Sequence, residues 1–174
     1  QGNYLSTVYV THKIATQSWQ ASGGNRRKEA LPHWCYSRGV KYDDGLYLPT
    51  KKEPLIDGIS GATPHESFDI KLNPATALKK FVVKIEINHS TDFNEAFTKS
   101  AKDGEANYSG GKEGSGQPAI VYAANVDLSK GEKSFEANLM GHSSPDGSSG
   151  EVNKDTSGLT TALHIVKRIT VIIQ

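Results

Sequence analysis

The chain has 174 residues and a mass of 18.8 kDa, which is the size of one ordinary globular domain with a sizeable core. Its 20 Lys and Arg residues against 19 Asp and Glu residues give a formal net charge of +1, which excludes a strongly basic chain and gives no argument for a nucleic-acid or membrane surface. No apolar run reaches the ~18 residues that a membrane span needs. We therefore predict one soluble domain over residues 1–174, with no nucleic-acid partner and no membrane span.

The start of the sequence and its cysteine content bear on compartment and chemistry. The chain begins at Gln1 with neither a Met nor an apolar leader, so we expect a mature or trimmed form from which a signal sequence is absent. The single cysteine, Cys35, excludes an intramolecular disulfide and a thiolate-rich metal site. Because Cys35 lies among Leu31, Trp34 and Tyr36, we predict a buried and inert thiol.

Short runs of β-branched and aromatic residues between Gly and Pro predict an all-β fold. The predicted strands, in chain order, span residues 5–15, 45–49, 65–72, 79–90, 118–128, 134–143 and 168–174.

Alternation of apolar and polar residues is clearest in "FVVKIEINH". One face carries Phe81, Val83, Ile85 and Ile87, and the other carries Val82, Lys84, Glu86 and Asn88. A similar alternation places Phe68, Ile70 and Leu72 on one face of a strand. Strands with one polar face favour an antiparallel sheet or a sandwich over a doubly wound parallel sheet.

Helices are expected only in two short segments. "RRKEALPHW" predicts a turn or two that ends at Pro32, and "SGLTTALHIVKR" predicts a short helix before the last strand. The polar segments 90–118 and 142–158 predict long loops, which are often functional or mobile. His142, Asp146 and Glu151 could bind a hard cation, but the spacing of a calcium loop is absent and we favour a solvated loop.

Small residues dominate one stretch of "PLIDGISGATPHESFDI", residues 54–70. Glycine permits backbone conformations that other residues resist, and the small neighbours leave the Thr63 hydroxyl clear. Pro64 biases Thr63 toward an extended conformation. The stretch therefore predicts an exposed loop whose Thr63 another enzyme can modify, and a tight turn without function is the alternative.

This stretch resembles the acceptor motif of bacterial flavin transferases, D-G-x-S/T-G-A-T, in which the last Thr receives FMN from FAD through a phosphoester bond. The matching residues are Asp57, Gly58, Ser60, Gly61, Ala62 and Thr63. The segments "LPHWCYSRG", "VKIEINHSTDFNEAF", "GSGQPAIVYAANVDL" and "SGLTTALHIVKRITV" resemble, in the same order, those of a domain-of-unknown-function family of predicted periplasmic bacterial proteins.

The resemblance implies an Ig-like antiparallel β-sandwich located outside the cytosol, in the periplasm or at the cell surface. It also implies a covalent FMN on Thr63 and an electron carrier rather than a turnover enzyme. The implied partners are a flavin transferase and membrane or periplasmic redox proteins. Asp57 would then assist the transferase by placing its metal or by shaping the turn, and the chain would supply no catalytic residue of its own.

Several further residues have the chemistry to contact a flavin ring or to line a site at a strand end. The alternatives are core packing for the aromatic residues, loop anchoring for the Asp and Asn pair, and the start of a strand for the Gln. These candidates are Trp34, Tyr36, His89, Asp92, Asn94, Gln117 and Tyr122. The competing function is an Ig-like binding or structural module without a cofactor, which would use its long loops to recognise a partner.

Overall fold

The structure is a computed structural model that describes residues 2–17, 26–55, 58–70 and 78–173. The strands are β1 (Tyr9–Thr11), β2 (Ile59–Gly61), β3 (Lys80–Ile87), β4 (Ile120–Asp127), β5 (Ser134–Glu136), β6 (Asn138–Ser143), β7 (Val152–Asn153) and β8 (Thr170–Ile172). The helices are α1 (His12–Thr16), α2 (Pro32–Arg38) and the 3₁₀ helices Gly111–Glu113, Leu128–Lys130 and Thr161–His164. The prediction of a mainly β chain with few helices is confirmed.

The largest sheet of the described chain is antiparallel and has the strand order β3-β4-β6-β7. Its two long strands pair over their full length, from Lys80 opposite Asp127 to Ile87 opposite Ile120. The alternation in β3 is confirmed, since Phe81, Val83 and Ile85 pack on a core cluster whereas Val82 is 52% exposed.

Strands β5 and β8 form a separate antiparallel pair that shares this core cluster. Phe135 in β5 and Val171 in β8 lie opposite each other, and both belong to the cluster that contains Ala124 and Val126 of β4. Apolar side chains from the two sheets therefore meet in one core.

The third sheet brings the acceptor-like segment into contact with the N-terminal part of the chain. β1 and β2 pair in parallel, with Tyr9 opposite Ile59 and Thr11 opposite Gly61. Residues 59–61 therefore form a short strand rather than the predicted loop or tight turn, whereas Ala62 and Thr63 lie beyond the strand. The backbone of β2 obtains its hydrogen-bond partners from β1, and this pairing fixes the position at which Ala62 and Thr63 leave the sheet.

The first three predicted strands are largely wrong. Only Tyr9–Thr11 of residues 5–15 is a strand, because α1 follows at once and buries Ile14 and Ala15. Residues 45–49 are not a strand; there the buried Leu48 offers its carbonyl to the Arg26 guanidinium at 2.8 Å. Residues 65–70 are not a strand either, and Lys71 and Leu72 lie outside the described residues.

The helix predictions also require correction. Pro32 begins α2 rather than ending a helix, because a proline at the first helical position lacks only an N–H that the helix does not use. The predicted helix over residues 157–168 is reduced to the 3₁₀ turn Thr161–His164. The predicted strand 134–143 is divided at Ala137, whose N–H donates to Ile169, so β5 and β6 join different sheets. None of the described helices is long and apolar enough to span a membrane.

The long segment 90–118 is held to the rest of the chain by backbone and side-chain bonds. Thr91 and Asp92 donate their N–H groups to Gly114 and Ser115, which closes the loop on itself. The buried Arg27 donates to the Ser90 hydroxyl at 2.9 Å and pairs with the buried Glu29 at 2.7 Å.

Candidate functional site

The acceptor-like segment presents its hydroxyl groups to solvent. Ser60, Ala62 and Thr63 are exposed, whereas Gly58 and Gly61 are partly buried. Asp57 lies outside the described residues. Thr63 therefore lies on the surface, as the prediction of an accessible hydroxyl requires, two residues after the end of β2.

Close packing explains why small residues occur at both glycine positions. A Cβ built on Gly61 would lie 3.1 Å from the Tyr9 hydroxyl oxygen and 3.2 Å from its ring carbon Cε2. A Cβ on Gly58 would lie 2.9 Å from a Leu55 methyl carbon and 3.0 Å from the Thr7 methyl carbon. Gly61 does not have a positive φ, so it does not use the conformational freedom that glycine permits, and the close approach of Tyr9 accounts for the missing side chain.

Tyr9 connects the acceptor-like segment to the residues that follow it. Its phenol donates a hydrogen bond to the backbone carbonyl of Ala62, the residue before Thr63. Its ring centroid lies 5.7 Å from that of Phe68, with an angle of 50° between the planes. Phe68 is 55% exposed. Sequence reasoning missed Tyr9 and used Phe68 only as a strand residue; the run of small residues was a signal that a bulky side chain packs against them.

Trp34, one of the predicted flavin contacts, is connected to the acceptor-like segment through Thr7. It belongs to α2, and its indole N–H donates to the Thr7 hydroxyl at 3.0 Å. Thr7 in turn contacts Gly58. The Trp34 ring packs on the cluster around Val10, and the Arg38 guanidinium covers it at 4.9 Å from the ring centroid.

Tyr36 and Tyr122 have other packing partners. The Tyr36 ring stacks on Tyr47 at 4.4 Å between centroids, and its phenol donates to the Ser148 carbonyl at 2.6 Å. Tyr122 lies in β4 and packs on two core clusters. Desolvation raises the pKa of both phenols, and in Tyr36 the neighbouring Tyr47 raises it further.

Three of the predicted polar residues form one hydrogen-bonded network. The buried Gln117 amide donates to Asp92 at 2.9 Å, and its oxygen accepts the Thr160 N–H at 2.6 Å. Asn94 donates to the Gly158 carbonyl at 2.9 Å and accepts the Phe97 N–H at 2.8 Å. These bonds fasten the segment around residue 160 to the long loop, as expected for loop-anchoring residues. His89 is exposed at the end of β3.

Glu86 caps helix α2 from the neighbouring sheet, a contact that sequence reasoning missed. Its carboxylate accepts the backbone N–H groups of His33 at 3.1 Å and Trp34 at 2.6 Å, and also the Ser143 hydroxyl. These two N–H groups are in the first turn of α2, where helix donors lack an internal partner. Desolvation raises the pKa of Glu86 to about 7, and the three hydrogen bonds oppose that shift.

His33 is held in one tautomer beside this carboxylate. Its Nδ1–H donates to the Gly150 carbonyl at 2.7 Å, so Nε2 is the acceptor for the Lys84 ammonium at 3.1 Å. Burial lowers the pKa of His33; the Gly150 bond opposes this, and the charge of Lys84 lowers it further.

The prediction that Cys35 is buried is confirmed. The residue is 2% exposed, and desolvation together with the nearby Glu86 raises the pKa of its thiol.

The described residues contain no group of three His, Cys, Asp or Glu side chains that could hold a metal ion. Asp146 accepts hydrogen bonds from Ser144 at 2.5 Å and from the Ser148 hydroxyl at 2.7 Å, which is the pattern of a polar turn. A groove of about 770 Å³ lies between the two long loops and is lined in part by Phe97, His142, Lys154 and Asp155.

Comparisons with known proteins add no relative: no family model matches the chain, and neither the curated proteins nor the solved structures contain a significant match.

Proposed function

We propose that the protein is an electron carrier located outside the cytosol, with FMN attached covalently to Thr63 by a flavin transferase. The exposure of Thr63 at the end of β2 is the observation that supports this most directly. A transferase must reach the acceptor hydroxyl, and a buried Thr63 would have excluded the proposal.

The surroundings of Thr63 fit a phosphoester-linked flavin. Ala62 and Thr63 are exposed, so no side chain needs to move to admit the phosphate. The partly exposed aromatic pair Tyr9 and Phe68 begins one residue away, because Tyr9 bonds the Ala62 carbonyl. An aromatic surface beside an accessible hydroxyl suits a cofactor with a charged phosphate and a flat ring.

The transfer step is a phosphoryl substitution. The Thr63 hydroxyl oxygen attacks the phosphorus of FAD on the riboflavin side, the bond to the AMP oxygen breaks, AMP leaves, and the hydroxyl proton passes to solvent or to a base of the transferase. When bound, FMN supplies the capacity to accept and release electrons. The protein itself fixes the tether and keeps Thr63 at the surface through the pairing of β1 with β2.

As part of the same proposal, the chain forms an Ig-like sandwich. The sharing of one core by β3 and β4 on one side and by β5 and β8 on the other supports this arrangement. The proposed partners are the flavin transferase and redox proteins of the membrane or periplasm.

Co-expression with a flavin transferase and export to the periplasm test the proposal. Intact mass should show one added FMN and the visible spectrum should show a flavin, whereas a Thr63→Ala variant should show neither. An unmodified mass in the presence of a transferase that modifies a known acceptor would contradict the proposal.

A second candidate function is a binding module without cofactor, and the groove between the two long loops supports it. His142 and Lys154 would give this groove hydrogen-bonding and charged groups for a polar ligand. Under this function the protein would remain colourless after co-expression, and ligand binding would respond to Lys154→Ala.

A further inference from the structure

The aromatic pair of the partly buried Tyr9 and the exposed Phe68 lies at the surface of the chain. Phe68 leaves 55% of its surface exposed, and the nearby Ile59 of β2 leaves 52% exposed. A phenylalanine this exposed gains little from burial, so its position is not explained by the core. The pair lies beside the exposed end of β2, where Thr63 emerges.

The Tyr9 ring is held in place by contacts on two sides. Gly61 leaves room for the ring to approach the backbone, and the phenol is bonded to the Ala62 carbonyl. Phe68 extends the aromatic surface at a tilt of 50°. A surface fixed in this way needs little rearrangement to receive a flat ring, which lowers the entropic cost of binding.

The other aromatic candidates are already engaged. Arg38 covers the Trp34 ring, Tyr36 and Tyr47 stack on each other, and Tyr122 packs in the core. Of the aromatic rings named here, Phe68 is the one that leaves more than half of its surface exposed.

We propose that Tyr9 and Phe68 form the surface on which the isoalloxazine ring of FMN bound at Thr63 rests, an inference that depends on the proposed function above. The phosphate and ribityl chain give the ring enough reach from Thr63 to contact a side chain that touches Ala62. The stacked ring removes apolar aromatic surface of Phe68 from water, which is the driving force for docking. Tyr9 and Phe68 are positioning residues in this role, since they hold the ring and take no part in attachment.

Flavin fluorescence measures this contact directly. A phenol in contact with an excited flavin transfers an electron to it and quenches its emission, and the electron then returns. The emission per FMN of the native protein should therefore be several-fold lower than that of the same sample unfolded in guanidinium. The measurement does not depend on any electron-transfer activity of the protein.

The test uses the full chain, co-expressed with a flavin transferase and exported, with intact mass recorded for every sample. Tyr9→Phe keeps the ring and its packing but removes the redox-active phenol, so we expect its native emission to rise several-fold. Phe68→Leu, at an exposed position, should raise the emission because the flavin ring loses part of the aromatic surface on which it rests. The matched control is Tyr47→Phe in the other aromatic pair, which should remain as quenched as the unaltered protein.

Each outcome is decisive. If every variant carries FMN by mass and shows equal quenching, the proposal that the ring rests on Tyr9 and Phe68 is wrong, although FMN is attached to the protein. If the samples carry no FMN although the transferase is active, both the attachment of FMN and the proposed contact of its ring with Tyr9 and Phe68 are wrong. Relief of quenching in Tyr9→Phe and Phe68→Leu but not in Tyr47→Phe supports both.

Discussion

Tyr9 donates its phenol hydrogen to the backbone carbonyl of Ala62, and this bond ties the N-terminal strand β1 to the residue before Thr63. The same ring packs over Gly61, the residue that ends β2. A single tyrosine thus accounts for the missing side chain at position 61 and holds the backbone directly before Thr63.

The packing of Tyr9 on Gly61 predicts a measurable coupling between the two positions. Gly61→Ala places a methyl carbon 3.1 Å from the Tyr9 hydroxyl oxygen, so the ring must shift. We expect a loss of about 1 kcal/mol in the free energy of unfolding, as for other overpacked sites. In a Tyr9→Leu background the same change should cost nothing, because the crowding atoms are gone. Urea unfolding of the four proteins gives the coupling, and an equal cost in both backgrounds would contradict the contact.

The raised pKa of Glu86 predicts that its contribution to the stability of the protein decreases as the pH rises. The folded carboxyl group has a pKa of about 7 against an ordinary value of 4.5, so the folded state binds this proton more tightly than the unfolded state. The contribution of Glu86 to the free energy of unfolding is therefore full below about pH 4.5 and is lost as the pH rises to about 7, by about 3 kcal/mol in all.

The comparison of Glu86→Gln with the unaltered protein isolates this contribution, because the lowered pKa of His33 acts in both proteins. Stability measured by urea unfolding from pH 4.5 to pH 7.5 should decline less in Glu86→Gln. Glu136→Gln, at an exposed position in β5, is the matched control and should follow the unaltered protein. If the stability of Glu86→Gln and that of the unaltered protein change with pH in the same way, the pKa of the Glu86 carboxyl group is not raised.

The hydrogen bonds of the buried Gln117 side chain predict a loss of stability when its amide is removed. Gln117→Leu removes its bond to the partly buried Asp92 carboxylate, which keeps the Thr161 hydroxyl as a partner, and its bond to the N–H of the exposed Thr160. We expect a cost of about 1 kcal/mol, which is typical of lost hydrogen bonds whose remaining partners water can reach. Asn125→Leu, at an exposed position in the neighbouring strand β4, is the control and should change stability little. A small effect of Gln117→Leu in thermal unfolding would mean that the network is not needed to hold the segment.

Cys35 predicts slow reaction with thiol reagents in the folded state. Its thiol is buried and its pKa is raised, so both access and thiolate formation are unfavourable. Labelling with a disulfide reagent at pH 8 should be slow in buffer and fast in guanidinium. Rapid labelling in buffer would show that α2 opens readily.

Sequence reasoning succeeded where a feature depends on residues that are close together in the chain, and it failed where the feature depends on residues that are far apart. The strands β3 and β4 were predictable because the alternation of Phe81, Val83 and Ile85 reports directly on one buried face. Exposure of Thr63 was predictable from its small neighbours. The strand character of residues 59–61 was not predictable, because it depends on pairing with β1 about fifty residues earlier. The helix cap by Glu86 and the contact of Tyr9 with Ala62 are equally distant in sequence and follow only from the fold.

The measurement that tests the central claim most directly is the site of flavin attachment in the protein co-expressed with a transferase. Trypsin should release residues 53–71, which contain Thr63 together with Ser60 and Ser67. Fragmentation of this peptide should place one FMN on Thr63, and a Thr63→Ser variant should retain it whereas Thr63→Val should lose it. An unmodified peptide in the presence of active transferase, or FMN on Ser60 or Ser67, would contradict the account.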